Sequence, residues 1–245
     1  MFSLFGKKTS EAPDLSFLKT DMHSHLIPGI DDGSPDMETS IELIQGLSQL
    51  GYKRLVTTPH VISGMYNNTR EIILQGCEDV KNELTRRNIK MEFRAAAEYL
   101  LDDHFDFLLE KQEPLLTIKD NLVLVEFSFV SPPIDFKEKL FSIQINGYRP
   151  ILAHPERYGY FYNRPTIYEE LKNAGCLFQV NLLSLSGYYG KQAANIADQL
   201  IKKQLVDLFG TDMHHVRHLH QLQDPLVSSR ARKAAATSTI LNSEI

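Results

Sequence analysis

The feature that most constrains this chain is a recurrence: short apolar runs keep ending in a histidine or a carboxylate, and a stretch of helical periodicity follows. Asp21-Met22-His23-Ser24-His25 is the first such exit. Thr58-Pro59-His60, Ala97-Glu98, Val125-Glu126, Ala153-His154 and Thr211-Asp212-Met213-His214 continue the series. Strands are expected near 20–26, 54–58, 91–95, 122–127, 150–153, 176–180 and 205–210. Ser34-Pro35 reads as the start of a helix with an apolar face of Ile41, Leu43, Ile44, Leu47 and Leu50, stopped at Gly51. Further helices are expected over about 69–87, 102–109, 135–146, 164–173 and 191–203. The run Leu122-Val123-Leu124-Val125 lacks polar alternation, as expected of a strand covered on both faces. Seven strand-helix rounds without a long linker favour a single α/β domain over residues 19–245, a closed or nearly closed β/α barrel. Residues 1–18 read as a flexible lead-in, and the weakly patterned stretch from about 229 as a last helix or a frayed tail.

In such a barrel the carboxyl ends of the strands surround one mouth, so residues remote in sequence converge there. Residues i and i+2 of a strand project to one face. His23 and His25 can therefore point at one ion, and the Asp212-x-His214 pair repeats that geometry. A lone histidine is usually a packed core residue. Five imidazoles and three carboxylates crowded at one mouth are costly unless something pairs them, and a metal site is the economical reason. A mixed imidazole-carboxylate set suits manganese, iron or zinc. Cys77 and Cys176 lie in no closely spaced motif, and no arginine stands six residues after Cys176, as a cysteine-phosphatase loop would require. Both read as packing residues.

Composition removes other classes. With 26 Lys+Arg against 31 Asp+Glu, the net charge of -5 offers no cation surplus for non-specific polyanion binding, and no nucleic-acid partner is expected. No run approaches ~18 apolar residues. Two cysteines favour a reducing compartment. Met1-Phe2-Ser3-Leu4-Phe5-Gly6-Lys7-Lys8 has the wrong order for a secretory signal, with contact to a membrane surface as the minority reading. The aromatic runs Tyr158 to Tyr162 and Tyr188-Tyr189 fall in loops, where they either line a substrate entrance or pack.

Taken in order, His23-Ser24-His25, Thr58-Pro59-His60, Glu126, Ala153-His154-Pro155 and Thr211-Asp212-Met213-His214 resemble the polymerase and histidinol phosphatase family of metal-dependent phosphoesterases, over Asp21 to about His220. Ile30-Asp31-Asp32-Gly33, Ala97-Glu98-Tyr99, Val125-Glu126-Phe127-Ser128 and His154-Pro155-Glu156-Arg157-Tyr158 bring the resemblance closer to the bacterial manganese-dependent protein-tyrosine phosphatases of capsule and exopolysaccharide synthesis. The resemblance implies a distorted seven-stranded, TIM-like barrel carrying three divalent ions, manganese before iron or zinc. It implies that His23, His25, Glu98 and Asp212 hold one ion, and that Glu98 bridges to a second completed by Glu126 and His154. Asp31, His60 and His214 would hold the third, with Asp32 an alternative to Asp31. Arg157 is implied as a phosphate anchor. Arg217 lies earlier than the family pattern expects for a second anchor, and His218 is the alternative; His215 and His220 would tune the pocket or face solvent.

The activity implied is hydrolysis of phosphotyrosine on proteins by water activated on the metals, without a protein nucleophile. The partner implied is the tyrosine-rich tail of a membrane-bound tyrosine kinase of polysaccharide export. The location implied is cytoplasmic or peripheral to the inner face of the membrane. Histidinol phosphate or another small phosphate ester is the first alternative substrate. A nuclease-like phosphodiesterase and a non-catalytic, metal-stabilised binding protein rank lower.

Overall fold

A computed structural model describes residues 12–245, so most of the expected lead-in lies outside the described residues. Among the described residues nine short strands all pair in parallel: β1 (Thr20–Asp21), β2 (Arg54–Thr57), β3 (His60–Val61), β4 (Glu92–Ala95), β5 (Glu98–Leu100), β6 (Leu122–Glu126), β7 (Arg149–Ala153), β8 (Leu177–Asn181) and β9 (Leu208–Gly210). They fill the seven expected barrel positions, because β2 with β3, and β4 with β5, are single strands broken in two. The break divides the wall into a three-stranded sheet, β1-β2-β4, and a six-stranded sheet, β3-β5-β6-β7-β8-β9. Pro59 sits in the first break and has no N–H to give to a ladder. The distortion of the barrel resides in these two interruptions.

The first and last strands meet at a thin seam. One parallel bridge, Ser24 with Met213, lies there. The Asp212 N–H donates to the His23 carbonyl, and the His25 N–H to that of Met213, both at 2.8 Å. Below them the Asp21 carboxylate accepts the Thr211 N–H at 2.9 Å and its hydroxyl at 2.6 Å. At the opposite end of the barrel Asn242 accepts the Phe209 N–H and donates to the carbonyls of Phe209 and Thr20. That asparagine lies in a 3-10 turn, Leu241–Glu244, beyond the last helix.

Eight helices cover the outside among the described residues: α1 (Met37–Gln49), α2 (Arg70–Arg86), α3 (Asp103–Glu110), α4 (Phe136–Ile145), α5 (Ile167–Asn173), α6 (Lys191–Lys202), α7 (Val216–Leu222) and α8 (Pro225–Ala235). α1 begins later than Ser34-Pro35 suggests, because the Asp36 carboxylate accepts the Thr39 N–H at 2.8 Å and caps it there. Ile41, Leu43, Ile44 and Leu47 are buried as its periodicity requires. The stretch after 229 continues α8 and then docks through Asn242. The lead-in reading also runs too far toward its carboxyl end: Leu15 and Leu18 are buried, and the Leu15 N–H donates to the Leu50 carbonyl.

The core has two layers, as alternation on the strands dictates. Val123, Val125, Leu152, Phe178 and Val180 point out to the helices, while Leu124, Ile151, Ala153, Leu177 and Leu208 fill the barrel interior. Each fully buried aliphatic side chain contributes roughly 1.5–3 kcal/mol relative to exposure. The interior plug stops short of the carboxyl ends of the strands, where polar side chains take over.

Candidate metal centre

His23, His25, His60, Glu98, Glu126, His154, Asp212 and His214 converge at that mouth. His23 Nε2 lies 3.0 Å from Glu98 Oε2 and 3.3 Å from His25 Nε2. Asp212 Oδ1 is 3.4 Å from His23 Nε2 and 3.5 Å from His25 Nε2. His60 Nδ1 is 3.1 Å from Glu126 Oε1 and 3.3 Å from Glu98 Oε2, and His154 Nε2 is 3.2 Å from Glu98 Oε1. Asp32 Oδ1 faces His214 Nε2 at 3.4 Å and His60 Nε2 at 3.5 Å. Ligand atoms about 2.0–2.2 Å from one ion lie within ~4.4 Å of each other. Four overlapping groups come close to that limit, with donor atoms within 4.8 Å: His25, Asp32, His60 and His214; His23, His154 and Asp212; His23, His25 and Glu98; His60, Glu98 and Glu126. His60 Nδ1 and Glu98 Oε1 are buried without a hydrogen-bond partner, an expensive state that a cation would relieve. The donor set thus fits divalent ions.

These groups cut across the expected division of ligands. His60 stands with Glu98 and Glu126 as well as with His25 and His214, and His154 stands with His23 and Asp212. Asp31 belongs to none of the groups. Its Oδ2 lies 2.8 Å from His25 Nδ1 and accepts the His60 N–H at 3.1 Å, while Oδ1 accepts the Gly33 N–H at 3.0 Å. Its carboxylate is consumed in orienting His25, and Asp32 presents the oxygen to the mouth. His154 and Asp212 carry φ of 34° and 51°. Left-handed backbone at a side-chain-bearing residue costs on the order of 1 kcal/mol or more and persists where the surroundings enforce it.

Arg157 reaches the site from a 3-10 turn (Pro155–Arg157) after β7. Its Nη1 donates to Asp212 Oδ2 at 2.8 Å, and its guanidinium lies between the rings of Phe129 and Tyr189, 4.8 and 4.1 Å from their centroids. Arg217 is exposed on α7 and does not line the site, because the helix starts at Val216 and turns it outward. His218 is buried and does line it, with Nδ1 3.0 Å from the Asp212 carbonyl; burial pushes its pKa down to about 4. His215 also lines the site, and its Nδ1 accepts the His218 N–H and caps α7; His220 is exposed. The cavity over the cluster measures about 260 Å³.

The Tyr158 to Tyr162 run does not form its entrance. Tyr158 is fully buried, accepting the Phe127 N–H and donating to the Ala153 carbonyl, and the Tyr160 hydroxyl donates to the Ser128 carbonyl. These phenols tie the exits of β6 and β7 together. Tyr189 lines the entrance, as does Phe129, stacked on His154 with ring centroids 5.3 Å apart. The only sequence signal for Phe129 is its position just past Glu126, at a strand exit.

Electrostatics bind the cluster together. Burial alone would pull the His23 pKa down, but Glu98 and Asp212 override it and raise it to about 9. His25 is raised well above the ordinary imidazole value, with burial opposed chiefly by Asp31. Despite burial, Glu98 and Asp212 are held well below the carboxylate range by the surrounding histidines, with Arg157 adding to the effect on Asp212. A cation at His23 must displace its proton. The affinity of the metal-free protein for Mn2+ is therefore expected to rise by up to about tenfold per pH unit per proton displaced between pH ~6.5 and the folded value of about 9. Titration calorimetry across that range checks this, and a flat profile would contradict it. The same raised value stabilises the metal-free fold below pH ~6.5, a contribution lost as pH rises through about 9.

Neither cysteine is placed for chemistry. Both are buried; burial pushes the Cys176 thiol up to about 12 and that of Cys77 upward. Cys176→Ala is expected to leave turnover within about twofold once corrected for folded protein, since neither thiol lines the mouth. A folded, metal-replete but inert Cys176→Ala protein would reopen cysteine catalysis.

The fold and the donor cluster define the class of β/α-barrel metal-dependent hydrolases. The fold alone is shared with the histidinol phosphate phosphatase of Lactococcus lactis, whose crystal structure contains zinc, L-histidinol and phosphate; the TM-score is 0.52 at 13% identity, over 88% of this chain and 93% of that one. Within the class, the chain belongs to the CpsB/CapC family of capsular polysaccharide synthesis, whose sequence profile matches residues 19–233. It is 28% identical over 198 residues to the tyrosine-protein phosphatase YwqE of Bacillus subtilis, covering 80% of this chain and 78% of YwqE. It is 29% identical over 202 residues to the tyrosine-protein phosphatase CpsB of Streptococcus agalactiae, covering 80% and 83%. A chain from the crystal structures of YwqE from B. subtilis and CpsB from Streptococcus pneumoniae, metal-dependent tyrosine phosphatases, superposes with a TM-score of 0.76 at 25% identity, over 90% of this chain and 96% of that one.

Proposed function

We propose that this protein is a metal-dependent protein-tyrosine phosphatase acting in capsule or exopolysaccharide synthesis. The observation that carries the reading is the juxtaposition of a buried multi-histidine, multi-carboxylate cluster with the Arg157 guanidinium over one open cavity. Its relatives named as tyrosine-protein phosphatases support it. Three divalent ions, manganese foremost, are held by His23, His25, Asp32, His60, Glu98, Glu126, His154, Asp212 and His214. Bound there, they supply Lewis acidity and a water far more acidic than bulk water.

The chain's own groups do the rest. Arg157 offers a planar fork to non-bridging phosphate oxygens, and Phe129 and Tyr189 hold that fork between two rings. His218, kept neutral by burial, offers a hydrogen bond without a charge and takes the role that outward-facing Arg217 cannot. Phenol leaves with a pKa near ~10, so the site needs little general-acid help. Phosphotyrosine also carries its phosphate farther from the peptide than phosphoserine does, which suits a recessed cluster.

The substrate we assign is the phosphorylated tyrosine-rich tail of a membrane-bound kinase of polysaccharide export, met at the cytoplasmic face. No helix among the described residues is long and apolar enough to cross a membrane. The test is release of phosphate from phosphotyrosyl peptide, phosphoseryl peptide and histidinol phosphate by protein stripped of metal and titrated with Mn2+, with bound metal counted. Metal-restored turnover of the phosphotyrosyl peptide alone is expected. Preference for histidinol phosphate would move the function to small esters, and equal turnover of the two peptides would remove selection by reach.

A further inference from the structure

β8 sends Leu177, Gln179 and Asn181 to the barrel interior at alternate positions. The first belongs to the apolar plug, and the other two rise into the mouth as fully buried amides. Asn181 Nδ2 donates to Asp212 Oδ2 at 2.7 Å, and Gln179 Nε2 donates to Asn181 Oδ1 at 2.9 Å. Gln179 Oε1 lies 2.7 Å from His23 Nδ1. The line has one consistent direction. The Asp212 carboxylate only accepts, so Asn181 must turn its NH2 toward it. Asn181 Oδ1 then faces Gln179 and demands the NH2 of that side chain, leaving Gln179 Oε1 to accept from His23. His23 Nδ1 must therefore carry a hydrogen, and Nε2 is the atom turned toward Glu98 and His25.

We propose that Gln179 and Asn181 are positioning residues that use the charge of Asp212 to fix His23 with its hydrogen on Nδ1, leaving Nε2 to a divalent cation. The inference rests on the reading that His23 and Asp212 hold such an ion. The relay acts on two ligands from opposite sides of the seam, orienting the imidazole at one end and steadying the carboxylate at the other. Gly210 supplies its space: a Cβ there would stand 2.6 Å from Gln179 Nε2 and 2.8 Å from His23 Cβ. The Asn181 N–H in turn donates to buried Glu156 at 3.0 Å, which anchors the upper end of β8.

The test is Mn2+ affinity of the metal-free full chain by titration calorimetry, on variants first shown to be folded by circular dichroism. Gln179→Met, matched in length but unable to accept well, is expected to lose about 10- to 100-fold in affinity, the usual penalty for an outer partner of a metal ligand. Gln179→Glu presents an acceptor to His23 whichever way it turns but has no hydrogen to give Asn181 Oδ1, so it is expected to lose less affinity than Gln179→Met without matching the parent. Asn181→Leu is expected to cost about tenfold in the parent and at least about threefold less in a Gln179→Glu background, because a carboxylate has no wrong orientation to correct. That pair carries the test if Gln179→Met does not fold. Equal losses for Asn181→Leu in both backgrounds, or parental affinity in folded Gln179→Met, would overturn the relay while leaving the metal reading intact. Failure of the parent itself to bind Mn2+ would overturn both.

Discussion

Glu98→Gln is expected to lower turnover by roughly three orders of magnitude or more and to lower bound metal with it. Both oxygens of this fully buried carboxylate face histidines: Oε2 lies 3.0 Å from His23 and 3.3 Å from His60, and Oε1, which has no hydrogen-bond partner, lies 3.2 Å from His154. Glu98 belongs to two of the four donor groups, as do His23, His25 and His60, and it is the one carboxylate among these four. Glutamine keeps the volume, which limits packing damage, but replaces one oxygen by an NH2 that repels a cation. Loss of one transition-state-stabilising group commonly costs about 100- to 1,000-fold, and here the supports of two ions are affected together. Removing one member of a buried ionic cluster also destabilises by roughly 3–5 kcal/mol, so activity and metal must be referred to folded protein. Full metal content in folded Glu98→Gln would refute the bridging role.

Arg157→Ala separates binding of phosphate from binding of metal. Turnover is expected to fall about 100-fold while metal content stays unchanged, since Asp212 keeps its bond from Asn181 and its histidine neighbours. Arg157→Lys should recover only part of the loss, because an ammonium keeps the charge but not the fork. Inhibition by inorganic phosphate should weaken in parallel. Kinetics equal to the parent would reject the anchor role and leave Arg157 a partner of Asp212 only.

The sequence exposed those parts of the site governed by strand periodicity and by position at a strand exit. His23-x-His25 and Asp212-x-His214 were readable because i and i+2 share a face, and Glu126 and His154 because each closes an apolar run. Adjacent Asp31 and Asp32 fall outside that rule. Which of the two reaches the mouth depends on hydrogen bonds from His25, His60 and Gly33 that only the folded loop brings together. Arg217 failed for a similar reason: the start of α7, fixed by the His215 cap, decides which way it points. The tyrosines after Arg157 leave two readings open in sequence because a phenol serves as well in tying backbone as in lining a pocket. Gln179 and Asn181 are silent in the sequence, since amides in a strand carry no chemical signature until their neighbours are known.

The seam between β1 and β9 has little ladder to hold it, yet both paired motifs stand on it, His23 and His25 on one side, Asp212 and His214 on the other. An ion held by both motifs, as proposed, would work as a clasp on this thinly bonded joint. Gaping of the joint and escape of the ion then become one event, so protein emptied of metal should breathe at this edge and admit proteases and exchanging solvent where the filled form does not. Asn242 fastens the same joint at the far end, so only the mouth end would depend on the ion for its closure.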